Sequence, residues 1–246
     1  MSSPLGDGVA DIATPRSTPD QLSALLRQGE CVVTLAGASV VLLPERAVWM
    51  PDSNALLVAD LHWGKAAAFR AAHVPIPTGT TASDLSRLTD LINRTGATRL
   101  FVLGDLLHAR QGRHTDTLGT ISAWRRIHDG LAITLVRGNH DVRAGDPPPE
   151  LQIHCTDATQ LGPFALRHEP APHTDGYVLS GHLHPHVTLA GRGKQHVRLP
   201  CFVFGGAVGV LPAFSSFTGG GMYQRADTDA LYVIAGDTVL SVPARD

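Results

Sequence analysis

From Cys31 onward, apolar residues arrive in short bursts separated by turn formers. Val32-Val33-Thr34-Leu35, Val40-Val41-Leu42-Leu43, Ala47-Val48-Trp49-Met50 and Ala55-Leu56-Leu57-Val58-Ala59 read as consecutive strands. Leu100 to Leu103, Ile133 to Val136, Phe164 to Arg167 and Tyr177 to Ser180 repeat the pattern, and strand character dominates from there to Val242. Helical spacing interrupts it mainly in the first half. Thr18-Pro19-Asp20-Gln21 is a capping sequence that predicts a helix to Gln28, and Gly64 to Ala72 is helix-prone until Pro75 and Pro77 stop it. Leu85, Leu88, Leu91 and Ile92 share one helix face, with Ser83 or Thr81 as cap and Gly96 as stop; Leu118, Ile121, Trp124 and Ile127 form another face ending at Gly130. Beyond Gly145 the helix signal fades, and Gly219-Gly220-Gly221 reads as a loop. The pattern predicts two packed sheets with helices outside, an α/β fold. No internal repeat or long linker divides it, so residues 1–17 are read as a flexible lead-in and residues 18–246 as a single domain.

Composition narrows the class without naming a function. Of 246 residues, 43% are hydrophobic and 17% charged, ordinary for a chain with a sizeable core. A net charge of −2 gives no general attraction to nucleic acid, so such contact would need a local basic patch. Cys31, Cys155 and Cys201 lie far apart and form no C-x-x-C, which argues against a zinc ribbon or thiol-redox motif and suits a reducing compartment. The first 20 residues lack an apolar signal core, and no stretch reaches the ~20 apolar residues of a membrane helix; the expectation is a cytoplasmic protein with no membrane contact.

The chemistry lies where the strands stop. Five apolar runs lead directly into Asp60-Leu61-His62, Gly104-Asp105, Gly138-Asn139-His140-Asp141, His168 and Gly181-His182-Leu183-His184. Ligand sites in open α/β sheets gather beyond the carboxyl ends of strands. These residues offer oxygen and nitrogen but no thiolate, which favours Mn²⁺, Fe, Zn²⁺ or Mg²⁺. On an extended chain the i, i+2 pairs Asp60/His62 and His182/His184 would point the same way, while Gly138 and Gly181 would allow sharp turns. Asp105 is placed to bridge two ions, and Asn139 to add a neutral amide oxygen. Taken alone, His168-Glu169-Pro170 reads as a surface turn; its place between the neighbouring motifs raises it. His108 and His186 follow candidate ligands closely and read equally as supporting or packing residues. The remaining histidines read as packing or surface groups, and Trp63, Phe214 and Phe217 first as core. Lys65, Arg70, Arg110, Arg113, Arg137 and Arg143 fall near the ligand-bearing loops, where cations could neutralise phosphates.

In order, D-x-H, G-D, G-N-H-D, a lone His and G-H-x-H resemble the calcineurin-like metallophosphoesterase superfamily. That resemblance implies a four-layer αββα sandwich of two mixed β-sheets flanked by helices. It also implies one ion on Asp60, His62 and His184, a second on Asn139, His168 and His182, and Asp105 between them. Such a pair, ~3.5–4 Å apart, holds phosphate oxygens and supplies the hydroxide that attacks phosphorus in line. His140 would serve as acid or charge stabiliser, oriented by Asp141.

Ala59 to Arg70, Leu103 to Arg110 and Leu211 to Gly220 carry a narrower resemblance, to the bacterial ligase-associated DNA damage response endonucleases (PdeM-type). This implies an Mn²⁺-dependent phosphodiesterase or endonuclease acting on DNA in repair, with functional links to a DNA ligase, a helicase and an exonuclease. Lys65, His108, Arg110 and Arg143 are the candidate substrate-binding residues. A small-molecule phosphodiesterase acting on cyclic nucleotides or nucleotide polyphosphates, and a non-catalytic scaffold, are the alternative readings.

Overall fold

The computed structural model describes residues 17–23, 26–76, 79–110, 114–190, 196–223 and 226–243. After α1 (Pro19–Ser23), strands β1 (Cys31–Leu35), β2 (Ala38–Leu43), β3 (Ala47–Met50) and β4 (Ala55–Val58) form an antiparallel meander. The first hairpin turns at Ala36 and Gly37, both with positive φ, as a tight turn matched to strand twist requires. β5 (Arg99–Leu103), β6 (Ala132–Val136) and β7 (Ile153–Thr156) then join β4 in parallel, completing a seven-stranded sheet in the order β1 to β7.

Parallel neighbours need crossovers, and helices supply them. α2 (Lys65–Ala71) and α3 (Thr80–Thr95) link β4 to β5, α4 (Thr115–Ile127) links β5 to β6, and α5 (Asn139–Ala144) follows β6. The apolar face expected on α3 is present: Leu85, Leu88, Leu91 and Ile92 are buried against Leu56, Val58, Leu100 and Val102 of the sheet and against Trp124 of α4. Gly96 stops α3 as its sequence predicts, in a left-handed conformation that donates to Ile92 O. The start differs. Gly79 is the N-cap, and the Thr81 hydroxyl accepts from Gly64 N at 3.4 Å, tying α3 to the head of α2.

The second sheet has nine strands: β8 (Thr159–Leu161), β9 (Phe164–Leu166), β10 (Tyr177–Ser180), β11 (Pro185–Ala190), β12 (His196–Phe204), β13 (Val208–Val210), β14 (Gly221–Met222), β15 (Ala230–Ala235) and β16 (Thr238–Val242). β9, β10 and β13 are parallel and sit at its centre; antiparallel hairpins extend it on both sides. Alternation along the strands divides the core. Val40, Leu42, Leu57, Phe101 and Leu103 from the first sheet meet Phe164, Leu166, Leu179 and Phe202 from the second between the sheets. Cys201, Val203, Val210, Leu231 and Val233 form a smaller cluster on the other face of the second sheet.

Two mixed sheets flanked by helices are therefore present, with α3 and α4 on the outer face of the first. α1 ends at Ser23 and residues 26–28 are not helical, short of the helix expected to reach Gln28; residues 24–25 and residues 1–16 of the lead-in lie outside the described residues. α5 is an addition, because the Gly-Asn-His-Asp run reads as a ligand loop rather than as a helix start. Among the described residues, no helix is long and apolar enough to cross a membrane.

Candidate metal centre

All five strand ends meet at one edge of the two-sheet stack, the first three from one sheet and the last two from the other. The loops that follow are joined backbone to backbone. Asp60 N donates to Gly104 O (3.1 Å), His62 N to Asp105 O (2.8 Å), Trp63 N to Leu106 O (2.8 Å) and Gly181 N to His168 O (3.1 Å). The Asp60 carboxylate reaches the second sheet and accepts from His182 N at 3.0 Å.

The i, i+2 pairs do not converge through extended backbone as their spacing predicts. Asp60 (φ 54°), His62 (47°), Asp105 (53°), His182 (73°) and His184 (46°) all lie in the left-handed region. That region is uncommon for residues other than glycine, and such angles persist at functional sites because the surroundings over-determine them. The role of two glycines also differs from expectation. Gly138 has φ −97°, open to any residue, but a Cβ there would lie 2.2 Å from Asp105 Oδ1. At Gly181 a Cβ would lie 2.7 Å from Asp60 Oδ2. Both are needed for closeness rather than for turning. Gly104 combines the two demands, with φ +84° and the His168 ring 2.0 Å from its missing Cβ.

The side chains gather in two groups about Asp105. In one, His62 Nε2 lies 3.5 Å from His184 Nε2 and 3.8 Å from Asp105 Oδ2, and His184 Nε2 lies 3.4 Å from Asp60 Oδ1. In the other, His168 Nε2 lies 3.0 Å from His182 Nδ1, 3.2 Å from Asn139 Oδ1 and 3.6 Å from Asp105 Oδ1. Backbone carbonyls fix two tautomers. His168 Nδ1 donates to Leu103 O and His184 Nδ1 to Gly219 O, each at 3.0 Å, so in the neutral rings both Nε2 atoms turn lone pairs inward. Acceptors facing acceptors at this range repel unless a cation lies among them. Two ligands ~2.1 Å from one ion stand ~3.0–3.4 Å apart at octahedral or tetrahedral angles, close to these spacings. The donor set therefore fits divalent ions, with the two oxygens of Asp105 directed to different groups. Burial, followed by the nearby charges of Lys65 and His184, pushes the His62 pKa down to about 2 and leaves its ring neutral.

His140 stands beside this set without joining either group. Its Nδ1 donates to His108 O at 2.8 Å, which leaves Nε2 directed inward, 4.0 Å from Asp105 Oδ2. Asp141 does not orient that ring, contrary to the expectation. Its carboxylate is buried and accepts from Leu107 N (3.0 Å) and Gly138 N (2.9 Å), locking two ligand loops together at the head of α5. Burial raises its pKa, while these amides oppose the rise.

The basic residues divide. Lys65 is half-buried beside the centre, its pKa lowered by burial and raised in part by Asp105 and Asp60. His108 stacks on His140 with ring centroids 5.1 Å apart, and burial, then Lys65, lowers its pKa to about 4. Arg110 and Arg143 are exposed neighbours, linked by Arg110 Nε donating to Arg143 O at 3.2 Å, and Arg70 is exposed on α2. Arg137 is committed elsewhere: it forms a two-pronged pair with Asp146 at 2.7 Å and a third bond to Asp157 at 3.0 Å. Arg113 lies outside the described residues. His186 Nδ1 bonds its own loop at His184 O, and Trp63 and Phe214 are buried in the core, as read.

One supporting structure escapes the sequence reading. The loop from Leu211 to Gly219 touches the centre twice: Phe214 N donates to Ala59 O beside Asp60, and Gly219 O orients His184. Side chains behind it hold it in place. Arg46 Nη1 donates to Ala213 O and Ser215 O, and Arg87 Nη1 donates to Phe214 O and Asp84 Oδ1. The Arg87 guanidinium also covers the Phe214 ring at 4.2 Å. The available signal was Asp84, a carboxylate on the apolar face of α3.

A solved structure, that of the Pseudomonas putida nuclease MPE, matches 86% of this chain and the whole of its own chain, at 42% sequence identity and a TM-score of 0.76. The chain belongs to the metallophosphoesterase family that includes this nuclease. The Escherichia coli phosphoesterase YfcE aligns over 78% of this chain and 99% of its own, at 15% identity and a TM-score of 0.37. No protein-family model matches the chain, and no curated protein sequence does.

Proposed function

We propose that this protein hydrolyses phosphodiester bonds in DNA with two divalent ions, Mn²⁺ in the cell, as a cytoplasmic nuclease of DNA repair. One observation carries the chemistry: two sets of inward-facing acceptors share the two oxygens of Asp105. Asp60, His62 and His184 would hold one ion, Asn139, His168 and His182 the other, and Asp105 would serve both. Bound there, the pair would supply Lewis acidity for the phosphate oxygens and activate a water as nucleophile. The protein's own part is proton delivery and positioning. When the bond from phosphorus to the leaving oxygen breaks, that oxygen takes the Nε2 proton of His140 in its doubly protonated form, leaving a neutral ring whose Nδ1–H is still held by His108 O. Asp141 acts through the loops it joins rather than at the reacting atoms. Lys65, His108, Arg110 and Arg143 meet the flanking phosphates.

The word nuclease in the name of the solved relative supports a nucleic acid over a small ester as substrate; DNA, and the functional links to a ligase, a helicase and an exonuclease, rest on the narrower sequence resemblance. The two sheets each contribute strand ends to one centre, which supports reading residues 18–246 as one domain. The test is purified protein with Mn²⁺ on bis-p-nitrophenyl phosphate and on DNA, beside Asp105→Ala. Hydrolysis of both by wild type and of neither by the variant is expected. Activity equal in the two proteins removes the metal-centre reading, and hydrolysis of only the small ester removes the DNA reading.

A further inference from the structure

A row of rings leads out of the centre. From His140 it passes to His108 at 5.1 Å, then to Phe69 at 6.0 Å and Phe217 at 6.0 Å, measured between ring centroids. Phe69 is 37% exposed. Phe217 stands edge to face with it at 87° and is half-buried. Lys65, one helical turn before Phe69 on α2, places its ammonium 5.9 Å from the Phe217 ring centroid. The mechanism uses neither phenylalanine. Nor are they loosely placed. Phe217 N donates to Ser215 Oγ at 3.3 Å, and Ser215 O is held by Arg46 at 3.1 Å, so the ring belongs to the loop pinned from behind.

We infer that Phe69 and Phe217 form a stacking subsite for an unpaired nucleobase next to the scissile phosphate, with Lys65 on the adjoining phosphate. A partly exposed ring pair beside a cation, continuous with a centre proposed to bind phosphate, matches the alternation of base and phosphate along a single strand. A paired base stacked within a duplex cannot offer its face to a side chain, so the subsite selects unpaired nucleotides. This rests on the nuclease reading above.

The test compares a single-stranded oligodeoxynucleotide with an abasic strand of equal length, using wild type, Phe69→Ala, Phe217→Ala and Phe217→Tyr. Removing one stacking ring is expected to raise KM for the base-bearing strand about five- to hundredfold, with much less change in kcat. The abasic strand, already lacking the stacked group, should lose far less, and Phe217→Tyr should restore most of the loss. A 2-aminopurine in the strand gives a second readout: its fluorescence is quenched on binding wild type and less so on binding the alanine variants. Equal losses on both strands, or unchanged quenching, overturn the subsite alone. Failure of wild type to cleave either strand overturns the nuclease reading and the subsite with it.

Discussion

Gly138 shows how closely the candidate ligands are packed. Its backbone angle suits any amino acid, so Gly138→Ala carries no conformational penalty, yet the added methyl meets Asp105 Oδ1 at 2.2 Å. The variant should fold but bind metal poorly, as read by metal content after gel filtration beside a melting curve; wild-type metal content would contradict the steric account. His140→Ala separates another role. Its ring lies outside both acceptor groups, so both ions should stay while turnover falls about 10²–10⁴-fold. A wild-type rate would remove His140 from the mechanism, and loss of metal would make it a ligand. Glycines in these motifs are conspicuous in the sequence, but whether they serve angle or closeness is not, because closeness depends on which distant side chain arrives opposite.

At the scale of elements, the strands and the seven candidate ligands were legible because each ligand follows its strand directly in sequence. The pinning of the Leu211–Gly219 loop was not. Arg87 reaches Phe214 O across 127 residues, and its partner is a carbonyl, which every residue possesses. α5 was hidden for a different reason, since its six residues carry a ligand motif in place of an apolar face. Two variants of α3 distinguish packing from pinning. Leu88→Ala empties a fully buried position and should cost about 2–5 kcal/mol in denaturant titration while sparing the rate per folded molecule. Arg87→Met removes the ion-pair partner of buried Asp84 and leaves it the charge of Arg46 and the hydrogen bonds of Ser215 and Ser216, which costs about 3 kcal/mol, the low end for breaking a buried pair, because Arg87 is partly exposed. It should also impair catalysis, since the loop that orients His184 loses one of its two arginine anchors. Unaltered activity in folded Arg87→Met would show that the loop stands without it.

For the whole molecule, the centre joins two sheets whose facing surfaces are packed with apolar side chains. Ends of β4, β5 and β6 supply Asp60, His62, Asp105 and Asn139; ends of β9 and β10 supply His168, His182 and His184. Ion binding is therefore linked to unfolding of the entire stack. At a free ion concentration 100 times the dissociation constant, one site adds about 2.7 kcal/mol. Mn²⁺ should raise Tm of wild type and a chelator should reverse the rise, whereas Asp105→Asn should show little response. An equal shift in both proteins would place the stabilising ions elsewhere.

The left-handed backbone at Asp60, His62, Asp105, His182 and His184 also determines what mutation can place there. Glycine, asparagine and aspartate enter that region readily, whereas valine, isoleucine and threonine resist it. A saturation library scored for cellular abundance, blind to catalysis, should retain glycine and asparagine at these five positions and deplete the branched residues. The chemistry of the centre would then be inscribed twice, once as a choice of donor atoms and once as a ban on side-chain shapes. Selection that has forgotten the reaction would still enforce the second.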